Sequence, residues 1–481
     1  MTTCMTVRVG VSVVVLSLVL WVTLGADRVE ASDGSSAALM DSRTHLRRAL
    51  ATQATTRTRL RVLGDAWTCV EARFVSYRQS DVVPSLVDAW YVASQLWADA
   101  ELLQTGPVPT GLSAVAQVPA RPTPARPPEV NLSEERCHLE LGFIFLDRLW
   151  DYAQGGYFPQ SDPTGTEVPR GPRFTDDAAV AGLALLATAD TLPDGDLRRH
   201  YRYAARRVAD FLIVSGLWDE TFGGGFWWNT TRGDSDEGKP AQSNALAALF
   251  FARLYAAAGD EGHRTWARRT LLWLDTVLYD PDRQLYRWSI RYEQPAERAG
   301  GAVTTSRYFN YDQGVAVEAQ LAVGALDRDP GHLARAQRVG EALHREFWDH
   351  EHGGYRLEAG VAQVFTAYAA LASLGHLALH AADGDARWRD MALMNAEALA
   401  TVLGEEDGGY ALRHYRCVRR DTPGCEAGDV TWAIDHTRDT AAHAWPQHLE
   451  TAIARSLAGA CPSHGGRAIS PHDHGSPCRP R

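Results

Sequence analysis

From Asp219 to Ala258 the chain reads DETFGGGFWWNTTRGDSDEGKPAQSNALAALFFARLYAAA. Asp219 and a run of three glycines followed by three aromatic rings, Gly223 to Trp228, precede a stretch, Ala241 to Ala258, in which Arg253 is the only charged side chain. A helix that is apolar on every side has to be enclosed by other helices. The glycine-aromatic turn before it marks where one unit stops and the next begins.

The same grammar recurs along the chain. An acidic residue followed by a glycine-aromatic turn appears at Asp151 to Phe158 (DYAQGGYF), Asp349 to Tyr355 (DHEHGGY) and Glu405 to Tyr410 (EEDGGY), with a glycine-free version at Asp280 to Tyr286 (DPDRQLY). Copies lie about 55 to 70 residues apart, room for two helices and a loop. Within a unit the helices differ in charge. Gly195 to Gly216 places Leu197, Tyr201, Val208, Phe211 and Leu212 among five arginines, the pattern of an outer helix with one wet face. Gln363 to Ala382 has no Asp, Glu, Lys or Arg. The alternation continues through Tyr311 to Leu326, His332 to Trp348, Ala386 to Leu403 and Thr437 to Leu457. It extends back to an inner helix at Leu86 to Leu103 and an Arg-studded outer one at Ala38 to Leu63. Twelve helices in alternating inner and outer places predict an all-α fold, an (α/α)6 toroid of six helical hairpins with short β excursions in the turns. No alternating pattern runs long enough to predict a sheet.

Three segments stand apart. Arg8 and an apolar run from Val9 to about Ala26, followed by the small-residue sequence Val29-Glu30-Ala31, predict export, with residues 1–31 either a cleaved signal peptide or a retained membrane anchor. Seven prolines between Thr105 and Val130 predict an exposed excursion within a single domain spanning 32–460. The tail 461–481, with His464, His472 and His474, is expected to be an irregular cap. With Cys4 in the leader, six cysteines remain (Cys69, Cys137, Cys417, Cys425, Cys461, Cys478), an even number that suits disulfides in an exported chain. Their pairing is open. No Cys-x-x-Cys or His-Glu-x-x-His spacing supports a zinc site. Lys and Arg total 48 against 59 Asp and Glu, a net charge of -11, and no basic run tracks aromatics, so nucleic acid is not an expected partner. A monomer is expected.

In such a ring the inner helices run the same way, so polar residues at their starts share one rim. Those starts are Asp176-Asp177, Ser243-Asn244, Asn310-Tyr311-Asp312-Gln313, Gln363 with Thr366, and Asp435-His436 with Asp439 and His443. Capping explains any one of them. It does not explain Phe226, Trp227, Trp228, Trp288, Tyr308 and Phe309, which sit in loops, where flat rings offer surfaces for sugars to stack on. Asp176 and Asp177 are the candidate carboxyl pair for glycosidic cleavage. Consecutive helical side chains diverge by about 100°, so both can act only where the helix is just beginning. The helix N-terminus favours ionisation of one, as a nucleophile needs, while a less solvated neighbour stays protonated as acid.

At these residues the sequence resembles glycoside hydrolase family 76, the (α/α)6 endo-α-1,6-mannanases. The likeness runs over roughly Ser133 to Ala458 and is carried by TDDAAVAGLALL at Thr175, GGGFWW at Gly223, SNALAALFFARLYAAAGD at Ser243 and FNYDQG at Phe309. The resemblance implies a retaining, endo-acting hydrolase of α-1,6-linked mannan with Asp176 as nucleophile and Asp177 as general acid/base. It also implies an oligosaccharide or polysaccharide substrate and no metal or cofactor. Trp227, Trp228, Asn244, Asn310, Tyr311, Asp312 and Gln313 are the candidate substrate-binding residues. Two departures bear on substrate preference: Ala178-Ala179-Val180 stands where the family has an aromatic residue, and Asp312 stands where it has Asn. Other readings of the same ring are a different polysaccharide hydrolase or transglycosylase, a sugar 2-epimerase using His436 and His443, and a non-catalytic glycan-binding protein.

Overall fold

The computed structural model describes residues 42–63, 76–83, 85–105, 132–232, 237–417 and 432–458. The N-terminal segment 1–31, nearly all of the proline-rich stretch and the tail 461–481 lie outside these residues. Twelve α-helices are described: α1 (Ser42–Arg59), α2 (Ala89–Leu103), α3 (Leu132–Arg148), α4 (Thr175–Asp190), α5 (Asp196–Val214), α6 (Ala241–Ala258), α7 (Glu261–Val277), α8 (Asn310–Asp327), α9 (Pro330–Phe347), α10 (Thr366–Asp383), α11 (Ala386–Val402) and α12 (Thr440–Leu457).

The even-numbered helices form a closed inner ring: α2 packs on α4, α4 on α6, α6 on α8, α8 on α10, α10 on α12, and α12 back on α2. Each odd-numbered helix lies outside, with α3, α5, α7, α9 and α11 on the inner helix before it and α1 on α12. The expected (α/α)6 toroid is therefore the fold. Composition assigns the layers. In α4 every residue from Asp177 to Ala189 is buried, whereas α5 buries Tyr201, Ala204, Ala205, Val208, Ala209, Phe211 and Leu212 and leaves its arginines outward.

The two layers start their helices differently. Among outer helices, Asp260, Asp329 and Asp385 cap α7, α9 and α11, each accepting a backbone N–H two residues on. The residues before α2, α4, α6, α8 and α10 make no side-chain cap bond. Instead, the first N–H of each inner helix donates to a carbonyl in the loop that leads into the next inner helix. The six bonds are Ala89 to Pro159 (2.8 Å), Thr175 to Trp228 (2.8 Å), Ala241 to Trp288 (2.7 Å), Asn310 to Leu357 (3.0 Å), Thr366 to Leu412 (3.1 Å) and Thr440 to Gln79 (3.0 Å). They run once round the rim and close on themselves. Only α12 adds a side-chain cap, from Asp439 to the N–H groups of Ala441 and Ala442.

The first and last described helices, α1 and α12, pack on each other. The Asp99 carboxylate of α2 accepts from Arg61 at 2.7 Å and from Gln53, Gln95 and Gln447 at 2.9 Å each. Burial opposes its ionisation, but Arg61 and Arg57 hold it well below the usual carboxylate range. Towards the C-terminal ends of the inner helices the ring is filled. Arg253 of α6 pairs with Glu318 of α8 at 3.1 Å and lies 5.3 Å over the ring of Trp97 on α2. Arg455 of α12 pairs with Glu101 of α2, and His448 packs on Trp97.

The rim carries more sheet than expected. Lys239–Pro240 (β1) pairs with Ser289–Gln294 (β2), which pairs with Ala299–Thr304 (β3), and Gln363–Phe365 (β4), Arg413–Arg416 (β5) and Trp432–Asp435 (β6) form a second three-stranded sheet. The sequence shows no long alternation because each sheet is assembled from short strands in separate loops. No single segment buries a whole face.

The glycine of FNYDQG has a packing cause. A Cβ on Gly314 of α8 would lie 2.6 Å from the Cα of Ala372 on α10, and one on Gly375 would lie 2.7 Å from the Gly314 carbonyl oxygen. These glycines let two inner helices touch through their backbones. Gly314→Ala is expected to destabilise the fold by about 1–3 kcal/mol, read as a lower denaturant midpoint. An unchanged midpoint would mean the two helices can separate freely.

Candidate active site

A cavity of about 370 Å³ opens at the rim where the inner helices begin. Its walls come from consecutive hairpins. Asp176 is supplied by α4, Gln242 and Ser243 by α6, Tyr311 by α8 and Tyr368 by α10, while the loops add Trp228, Glu237, Pro240, Trp288, Arg307 and Phe309. The rings form a connected wall: Trp288 stands edge-on to Phe309 at 5.6 Å, Phe309 stacks on Tyr311 at 5.3 Å, and Tyr311 meets Tyr368 at 4.8 Å. Arg307 lies over Trp288 and Phe309, 4.9 and 4.6 Å from their centroids, and is held there by a bidentate pair with Glu358.

Position in the helix decides what each side chain reaches. In α4, α6 and α8 the second residue (Asp176, Gln242, Tyr311) faces the cavity, and in α6 and α10 so does the third (Ser243, Tyr368). The first residue holds the rim: Thr175 donates its hydroxyl to the Trp227 carbonyl at 2.6 Å and Thr366 to Ala411 at 2.5 Å. The fourth residue turns back to its own loop. Asn244 accepts the Phe226 N–H at 2.7 Å and donates to the carbonyls of Phe226 and Pro240. Gln313 likewise accepts the Tyr286 N–H at 2.7 Å and donates to the carbonyls of Tyr286 and Phe309.

This register corrects five expectations. Asn244 and Gln313 are fully buried clamps on the aromatic turns, with their amides satisfied by backbone. Asn310 is also buried and donates to the Tyr355 carbonyl. Asp312 is buried, with one oxygen accepting the Gln242 N–H at 3.0 Å, and so joins the starts of α8 and α6. Trp227 donates its indole N–H to Asp219 at 2.8 Å beneath the ammonium of Lys239, 4.7 Å from its ring. None of the five lines the cavity. Of the candidate binding residues, Trp228 and Tyr311 do. Phe226 and Tyr308 are buried as well.

The turn that carries Trp228 requires its glycines. Gly224 and Gly225 have φ of 117° and 87°, and a Cβ on Gly225 would lie 2.4 Å from the ring of Trp273. Lys239 pins the turn from below through Asp219 and the carbonyls of Thr221 and Gly224.

Asp176 and Asp177 sit at the second and third positions of α4, and the two are not alike. Asp176 is half-buried in the cavity wall; one oxygen accepts the indole N–H of Trp228 at 3.0 Å, the other the N–H of Asp177 at 3.2 Å. Burial raises its carboxyl to about 6, against the pull of the Trp228 and backbone donors. Asp177 is buried just behind. Burial first, then the charges of Asp176 and Asp88, push it well above the usual range. The arrangement can hold one carboxylate beside one carboxylic acid at neutral pH.

The histidine pair expected for an epimerase is not formed. His436 precedes α12, is exposed and pairs with Glu405 at 2.7 Å, whereas His443 is buried against Thr56 and is kept neutral, at about 4, by burial. Sequence reasoning passed over Glu237, Gln242, Arg307 and Tyr368. Aligning the inner-helix starts position by position would have found Gln242 and Tyr368; Glu237 and Arg307 lie in loops with no such register.

A closed ring of helical hairpins with two carboxyl groups and an aromatic wall at its rim has the layout of the (α/α)6 glycosidases. Residues 170–352 match glycosyl hydrolase family 76. Comparison with curated protein sequences returns no match. Among solved structures, a family 76 glycoside hydrolase from a bovine Bacteroides thetaiotaomicron strain is 15% identical, covering 85% of this chain and 77% of its own, with a TM-score of 0.62. An inactive variant of the α-1,6-mannanase GH76A of Salegentibacter, with two adjacent aspartates replaced by asparagine and α-1,6-mannotriose bound, is 17% identical over 85% and 99% of the two chains, with a TM-score of 0.57. A D-mannose isomerase shares the fold at 11% identity over 88% and 98%, with a TM-score of 0.58.

The raised carboxyl of Asp176 predicts a stability effect with a defined sign. Below about pH 4, where an unfolded aspartate is also protonated, burial costs nothing. Between about pH 4 and about 6 the folded state holds a proton that the unfolded state releases, so stability falls, and the loss is complete above that window. Asp176→Asn should therefore raise Tm at pH 7, by the equivalent of roughly 2 kcal/mol, and leave it nearly unchanged at pH 3.5. A variant less stable than the parent at pH 7 would contradict this assignment.

Proposed function

We propose that this chain is a glycosidase that cleaves α-1,6-linked mannan internally, with retention, through Asp176 and Asp177. The observation that carries the reading is the unequal setting of the two neighbours: Asp176 faces the cavity with a hydrogen-bond donor on each oxygen, and Asp177 is buried beside it among negative charges. In the first step the Asp176 carboxylate attacks the anomeric carbon while Asp177 gives its proton to the departing glycosidic oxygen. In the second, the Asp177 carboxylate takes a proton from water, the hydroxide attacks the same carbon, and Asp176 is released. The choice of mannan draws on the Salegentibacter mannanase variant with bound α-1,6-mannotriose, whose replaced residues are likewise an adjacent aspartate pair. The wall from Trp288 to Tyr368 suits sugar faces.

A polymer substrate is met outside the cell, and we propose that the chain is exported there by its apolar N-terminal segment, cleaved or retained. The disulfide-bonded state of Cys137 and Cys417 supports an oxidising compartment.

Incubation with α-1,6-linked mannan should release oligosaccharides that retain the α configuration. Asp176→Asn should abolish release, and Asp177→Asn should lower it by about 10²–10⁴-fold. Binding without release by the parent protein would favour the lectin reading instead, and interconversion of free sugars the epimerase. The pH profile should be a bell whose acid limb falls near 6, where Asp176 becomes ionised, and whose alkaline limb marks the loss of the Asp177 proton.

A further inference from the structure

Two identical side chains on neighbouring residues, one facing the cavity and one buried behind it, need different partners to be given different tasks. The helix N-terminus serves both. What distinguishes Asp176 is a donor from the next hairpin: the Trp228 indole N–H reaches its Oδ2 at 3.0 Å, while the N–H of Asp177 reaches its Oδ1 at 3.2 Å. That indole is fixed from several sides. The Trp228 N–H donates to the Gly238 carbonyl at 2.9 Å, its carbonyl accepts the Thr175 N–H at 2.8 Å, and its ring stands edge-on to Phe174 at 4.7 Å. The preceding Trp227 is locked by Asp219 and Lys239.

The carbonyl bond and the indole bond come from one residue and reach adjacent residues of α4. Trp228 thus closes one link of the rim through Thr175 and holds the carboxylate of Asp176 through its side chain. Any displacement of the glycine turn moves both together.

We propose that Trp228 is a positioning residue that makes Asp176, and not Asp177, the nucleophile: its indole N–H holds one carboxylate oxygen, fixing the side chain in the cavity wall and favouring its ionised form. This rests on the reading of Asp176 as nucleophile given above. A donor to a carboxylate strengthens as the group ionises, so the role belongs to the N–H and is separable from any stacking by the ring.

Trp228→Phe keeps a ring and removes the donor. The acid limb of kcat/KM against pH should move up by about one pH unit. At pH 6, kcat should fall about tenfold or more, with KM within about twofold. An unmoved limb, or a loss confined to KM, would reduce Trp228 to a stacking surface and overturn the proposal. A second measurement needs neither substrate nor a folded Trp228 variant. With ¹⁵N-labelled tryptophan in the full chain, one indole N–H resonance should titrate with a midpoint of about 6 and lose that titration in Asp176→Asn. If no indole resonance responds between pH 4 and 8, the hydrogen bond does not track ionisation and the proposal fails. If the indole titrates but mannan is not cleaved, the positioning contact stands and it is the substrate reading that falls.

Discussion

Every inner helix of this toroid borrows its first hydrogen bond from a neighbour. A helix start leaves backbone N–H groups without partners, and three of the outer helices, α7, α9 and α11, resolve this locally with an aspartate cap. The inner helices instead take a carbonyl from the loop that introduces the next inner helix, six times around the rim. Each link fixes the position of a loop relative to a helix it does not belong to, and the aromatic residues of those loops thereby acquire fixed places above the helix starts. The cavity is a by-product of this circular arrangement: its walls are the loops, and its base is the first turn of four successive inner helices.

The arrangement also frees side chains at the helix starts. Because a carbonyl from elsewhere serves the first N–H of α4, Asp176 and Asp177 are not consumed as N-caps. They stand in the first turn of the helix, close to its positive end, with Asp176 facing the cavity and Asp177 buried behind it. Their difference in ionisation comes from partners: donors from Trp228 and the backbone on one, neighbouring negative charges on the other. Two adjacent aspartates are thereby given unequal surroundings within one regular helical turn.

The ring itself was legible in the sequence because its signals are collective. The charge contrast between Gly195–Gly216 and Ala241–Ala258, repeated along the chain, is a statement about layers that no single substitution would erase. The rim location of the polar helix starts followed from it. What could not be read was which way each polar side chain turns. Asn244 and Asn310 look like ligands for a sugar, yet one clamps the glycine turn and the other reaches the Tyr355 carbonyl. Trp227 and Trp228 are neighbours with opposite fates, one over Lys239 and one in the cavity. A rotation of about 100° per residue separates wall from core, and the sequence holds no mark of the helix's absolute phase. The β sheets were missed because their strands are two to six residues long and drawn from separate loops.

The ion pairs joining α2, α6, α8 and α12 at the far end of the ring give the toroid a floor. A ring without one would be a tunnel, and a polysaccharide could thread it end first and be held through successive cleavages. With Arg253 and Glu101 drawn across the base, the ring of helices is a bowl. On the function proposed above, a sugar chain would lie across the rim, with both fragments leaving by the side they came from.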